Sequence, residues 1–130
     1  MSKKSRWEEE LLFQIKAAGL PDPEREYRFD DDRRFRFDFA FPAHRFGIEC
    51  HGGIWNKGRH VRGYGIRSDC EKRNLAQLQG WDVFEFTPEQ IKSGEALTVI
   101  EKAIEMNIRV SEEIKRLKDQ ARGNKDVAPN

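Results

Sequence analysis

From Trp7 to Ala18 the apolar residues Trp7, Leu11, Ile15 and Ala18 recur every three or four positions, the stripe of a helix with one covered face. Ser5 and Glu8 have capping-box spacing at its start, and Gly19 followed by Pro21 marks its end. The period then changes to two. "REYRFD" and "RFRFDFAFP" alternate apolar and polar side chains and predict two strands joined through the polar turn "DDDR". "FGIECHG" is a third strand after the short connection "PAHR", and "GGIWNKGRHVRGYG" is a glycine-rich basic loop. "IRSDCEKRNLAQLQG" predicts a helix closed by Gly80, and "WDVFEFT" a fourth strand. Helical spacing returns at about Pro88, with Leu97, Ile100, Ile104 and Ile108 on one stripe that Ile114 and Leu117 continue. "GNKDVAPN" has the composition of a disordered tail.

The order helix, three strands, helix, strand, helix predicts an α/β domain on a mixed sheet of four strands flanked by helices. At 130 residues the chain supports one core, expected over residues 1–122, with residues 123–130 as the tail. Charge adds little at the level of totals, because 24 Lys and Arg stand against 23 Asp and Glu for a net charge of +1. Its placement adds more: residues 57–73 hold Lys57, Arg59, Arg62, Arg67, Lys72, Arg73 and His60 against only Asp69 and Glu71. With Trp55 and Tyr64 interleaved, that segment suits a phosphate backbone with rings available to stack on bases. Lys57, Arg59, His60, Arg62 and Arg67 are the expected nucleic-acid contacts; a solvated loop is the competing account. No apolar run is long enough to span a membrane, and "MSKKSRWEEE" lacks the apolar centre of a secretory signal. A cytoplasmic protein with Cys50 and Cys70 as free thiols is the expectation.

The candidate chemistry comes from strand periodicity. If Phe35, Phe37, Phe39 and Phe41 share one face of the second strand, Asp38 points to the other. On the third strand Glu49 and His51 share a face. A hairpin aligns these faces and brings two carboxylates within a few ångströms, where they repel unless a proton or cation lies between them. Mg²⁺ is the expected cation, since it takes hard oxygen ligands and completes its shell with water and phosphate oxygens. A solvated sheet face is the plainer alternative. On the first helix, rotation of 100° per residue sets Glu9 opposite the apolar stripe and Glu8 and Glu10 at its edges. With Glu8 engaged in the capping box, Glu10 is the carboxylate left to reach what the helix covers.

Taken together, Glu10, "RFDFAFP" with Asp38, "GIECHGG" with Glu49, "GRHVRGYGIRSDCEKRNLAQLQGW" and "DVFEFT" resemble the PD-(D/E)XK nuclease superfamily. Within it the chain is similar to small phage and prophage endonucleases distantly related to very-short-patch-repair endonucleases, over roughly residues 7–92. The resemblance implies a restriction-endonuclease-like core and hydrolysis of DNA phosphodiesters with Mg²⁺ or Mn²⁺. Asp38 and Glu49 would be the metal ligands and Glu10 an auxiliary carboxylate. In one place the chain departs from the signature: His51 stands where the superfamily has Lys two residues after the Glu. His51 itself and Lys72, at the edge of an apolar helical face, are the two candidates to supply the missing group.

Two alternatives belong beside that reading. Cys50, His51, His60 and Cys70 are zinc-ligand types, and "HGG" with downstream Asn and His faintly resembles an HNH nuclease, although Cys50 and His51 belong on opposite strand faces. The absence of the signature Lys also allows a nuclease-like module that binds nucleic acid without cleaving it. The long amphipathic C-terminal helix could pair with a copy of itself.

Overall fold

The computed structural model describes residues 6–51 and 63–125. Their order is α1 (Arg6–Ala17), β1 (Glu24–Arg28), β2 (Arg36–Phe41), a 3₁₀ turn (Pro42–His44), β3 (Phe46–Cys50), α2 (Gly63–Leu78), β4 (Asp82–Phe86), α3 (Pro88–Ser93) and α4 (Glu95–Lys125). The strands form one sheet in the order β1-β2-β3-β4. The first three are antiparallel neighbours, whereas β4 returns parallel to β3 after the crossover through α2. The expected α/β architecture, a mixed four-stranded sheet flanked by helices, is therefore present.

Two hydrophobic clusters cover the two faces of the sheet. On one face Phe39, Phe41, Phe46, Ile48 and Phe86 pack with Leu11 and Ile15 of α1, Ile91 of α3 and Ala96, Ile100 and Ile104 of α4. On the other, Phe29, Phe37, Ala40 and Trp81 pack with Ala76 of α2. These clusters show that the four phenylalanines do not share a face, as simple alternation in β2 had implied. Phe37 stacks on Phe29 at 4.4 Å and tilts against Trp81 at 5.4 Å, on the side of α2. Phe39 and Phe41 lie on the side of α1.

The neighbouring strand switches at the same level. Arg25, paired with Phe39, sits over the Phe39 ring, while Tyr27, paired with Phe37, packs on Trp81. Between these two rungs lie Glu26, with φ of 47°, and Asp38. A positive φ is uncommon for a residue with a Cβ and gives the ribbon the extra turn that regular alternation lacks. The β2–β3 ladder also stops at this level, with Phe39 opposite Ile48 as its last rung. Asp38 thus stands where β2 rolls over and parts from β3.

Other boundaries differ from the periodic reading for local reasons. α1 ends at Ala17, so Ala18 is exposed and outside the covered stripe. The helix expected from Ile66 begins at Gly63 and closes through Gly80, whose φ of 82° suits a residue without a Cβ. The single helix expected after Pro88 is two. Thr87 and Gln90 form a capping box at the start of α3, and Gly94, with φ of 86°, ends it. Ile108 is exposed, because the body of the domain ends below it, and α4 runs on to Lys125 into the segment expected to be a tail.

Candidate active site

Asp38 and Glu49 come from strands that part here, and a third residue joins them from α2. The Asp38 Oδ2 accepts a hydrogen bond from the Cys50 backbone N–H at 2.7 Å, in the place where a ladder carbonyl would otherwise accept. Glu49, on the α2 face of β3, accepts a hydrogen bond from the Lys72 ammonium. Lys72 also lies 5.8 Å from the centroid of the Phe37 ring, which forms an apolar wall of the same groove. Gly47, two residues before Glu49 on the same face, lets that ring approach: a Cβ there would lie 2.3 Å from it. The groove has a volume of about 280 Å³, and Asp69, His51, Arg73 and Glu85 line its rim.

The electrostatics follow from burial. Glu49 is pushed up to about 7, first by loss of water, partly countered by the charge and hydrogen bond of Lys72, and then raised further by the adjacent Asp38. Burial pushes the Cys50 thiol up as well, and the negative charges of Asp38, Glu8 and Glu49 add to it. Both effects favour the neutral thiol at Cys50.

A divalent cation fits this donor set. Two hard oxygen donors share one site, and with both carboxylates ionised the Lys72 ammonium offsets one of their two negative charges. Among the described residues no group of three His, Cys, Asp or Glu side chains is close enough to hold a metal, so a cation here would have only the Asp38 and Glu49 carboxylates from the protein. Water and a phosphate would complete the shell, as is usual for Mg²⁺.

Several expected site residues are placed elsewhere. Glu10 is exposed on the outer side of α1 beside Arg6, Glu9 and Phe13, because helical rotation carries it past the sheet. Its neighbour Glu8 is the carboxylate that α1 turns inward: it lies 3.8 Å from the Arg25 guanidinium and its charge reaches Cys50. The signal for Glu8 was Arg25, a cation at an inward position of a strand that needs an acid opposite. His51 follows Glu49 out to the rim, where Nε2 lies 3.2 Å from Glu85, and does not touch Glu49. Lys72, paired across to the sheet and not to Asp69 on its own helix, takes the place beside the carboxylates.

Arg67 is exposed and held by Glu71, which also pairs with Arg33. Arg73 is likewise engaged, by Glu85 at 2.8 Å. Lys57, Arg59, His60 and Arg62 lie outside the described residues. The zinc-type set is divided: Cys50 packs against the α1 face while His51 turns toward Glu85.

No family model matches this chain, and neither a curated protein nor a solved structure matches it.

Proposed function

We propose that this protein is a metal-dependent nuclease that hydrolyses phosphodiester bonds in DNA. The observation that carries this reading is the convergence of Asp38, Glu49 and Lys72, from three separate elements, at the point where β2 and β3 part. Phosphodiester hydrolysis needs an attacking water, a neutralised phosphate and a stabilised leaving oxygen. Mg²⁺ or Mn²⁺ held by Asp38 and Glu49 would supply charge neutralisation and a more acidic water. The chain's own groups supply the rest. Lys72 provides a fixed cation whose ammonium hydrogen bonds can orient a water or an anionic oxygen in a groove partly screened from solvent by Phe37. Burial holds Glu49 near neutrality, so a cation would have to displace its proton to be held there. The Cys50 N–H fixes one oxygen of Asp38, so its carboxylate is oriented before any ligand arrives. DNA, and not a small phosphodiester, is the substrate that the basic segment 57–67 would suit.

Cleavage of supercoiled plasmid in Mg²⁺ or Mn²⁺ tests the proposal. The wild-type chain should nick or linearise the plasmid, and chelation should stop it. Lys72→Ala should slow cleavage at least about 100-fold with binding largely kept, the usual weight of a positioned electrostatic or proton-transfer group. Glu49→Ala should abolish it. Full activity in Glu49→Ala would refute the site, and DNA binding without cleavage by the wild-type chain would make the protein a binding module.

A further inference from the structure

The far part of α4 has no partner in the described fold, yet its sequence is not that of a lone helix. Met106, Val110, Ile114 and Leu117 are all exposed and recur at spacings of four, four and three. Beyond Asn107, which bonds His44 of the 3₁₀ turn, the helix runs on to Lys125 for about 27 Å at 1.5 Å per residue. Isolated helices are marginal in water, and a projecting one that exposes β-branched and large apolar residues has little reason to persist alone. The stripe also has an extension on the body of the domain. Met106 and Val110 open onto a groove of about 480 Å³ lined by Phe46, Phe84, Val99 and Ala103, at the end of β3 away from Glu49.

The charges on the same helix indicate what covers the stripe. Residues 101–113 carry Glu101, Glu105, Glu112 and Glu113 against Lys102 and Arg109. Residues 114–125 carry Lys115, Arg116, Lys118, Arg122 and Lys125 against Asp119. A second copy laid parallel would set basic end on basic end. Laid antiparallel, it sets each acidic half against the partner's basic half and opposes the two helix dipoles favourably.

We propose that α4 pairs with α4 of a second copy of this chain, antiparallel, about a two-fold axis near residue 112. Val110 then faces the partner's Ile114, and Leu117 of each copy enters the groove beside Met106 of the other. The surface is self-complementary, as a two-fold interface requires. The two candidate active sites lie outside the seam, so the pairing does not depend on the nuclease reading.

Sedimentation of the full chain between about 5 and 200 µM should report twice the monomer mass, since an exposed seam this long with a filled groove approaches the size of a specific interface. Val110→Glu with Leu117→Glu, both at exposed positions, should give a folded monomer that keeps the cooperative unfolding transition of the domain and loses at most the helical signal of the unpaired end of α4. In a Cys70→Ser background, Glu113→Cys, beside the stripe and next to the axis, should cross-link to its own copy on mild oxidation, whereas Leu117→Cys should not. Cross-linking through both positions would indicate parallel helices and overturn the antiparallel geometry. A wild-type chain that sediments as a monomer throughout the range would overturn the pairing altogether and leave the stripe to a different partner.

Discussion

The two faces of the sheet are built from different materials. The face toward α1, α3 and α4 is closed by Leu11, Ile15, Ile91, Ile100 and Ile104 against phenylalanines, and every one of these side chains is buried. The face toward α2 uses rings over small residues: Phe29, Phe37 and Trp81 against Ala40, Ala76 and Gly47. Three helices cover the first face and one covers the second. On this second face Glu49 and Lys72, the latter from the middle of α2, line a groove where aliphatic side chains close the other side. Branched aliphatic packing maximises the area removed from water, and close ring-to-backbone packing leaves a defined edge at which a buried charge pair can sit. One face holds the domain together while the other trades some of that cover for a site.

Substitutions sharpen the contrast, and the largest effect belongs to the aliphatic face. Ile100→Ala removes a fully buried side chain that α4 presents to the sheet, and should cost about 2–5 kcal/mol in denaturant unfolding. The surviving folded fraction should keep its cleavage rate, because no atom of the site is touched. Loss of cleavage at full stability would mean that the two faces are not independent.

Next is the pH dependence of the charged face. The folded state holds Glu49 at about 7, above its ordinary value of 4.5, so the native protein binds the extra proton more tightly than the unfolded chain does. The carboxyl therefore costs nothing below about pH 4.5, costs progressively more as pH rises toward 7, and costs its full amount above that. Glu49 is largely buried but coupled to Lys72, which sets an upper bound on the order of 3 kcal/mol. Glu49→Gln should remove this component, leaving a flatter stability profile between pH 5 and 8 in the absence of divalent metal. An identical slope in both proteins would show that Glu49 is ionised at neutral pH.

The smallest of the three effects is expected at Gly47. An alanine Cβ there would press 2.3 Å from the Phe37 ring, so the ring must shift at a cost of about 1–3 kcal/mol. Because Phe37 also flanks Lys72, cleavage should fall beyond what the lost stability explains. Phe37→Leu in the same chain should restore most of the stability and less of the activity.

Much of this was readable from residue order alone. Strand and helix periods gave all four strands, because each is short, apolar on at least one face and bounded by turn residues. The register that sets Asp38 across from the level of Glu49 follows from the short connection 42–45, but the alternation used to assign the face of Asp38 fails at Phe37. Lys72 was identifiable as a candidate from its position at the edge of the helix's apolar face.

What the sequence could not give are the events in which one element answers to another. Alternation assigns Phe37 to the face of Phe39, and only the positive φ of Glu26 on the neighbouring strand, with Trp81 waiting on the far side, moves it across. Helical rotation ranks Glu8 and Glu10 as equals at the two edges of a stripe. The choice between them falls to Arg25 of β1, whose guanidinium bonds Glu9 at 2.8 Å and lies 3.8 Å from Glu8, on the side of α1 away from Glu10. His51 was the positional substitute for the signature Lys and Lys72 the second candidate until the crossover fixed where α2 lies over the sheet, since a side chain two residues along a strand keeps its face but not its depth. Local order is set by spacing within a segment; the site is set by distances between segments, and those exist only once the chain has closed on itself.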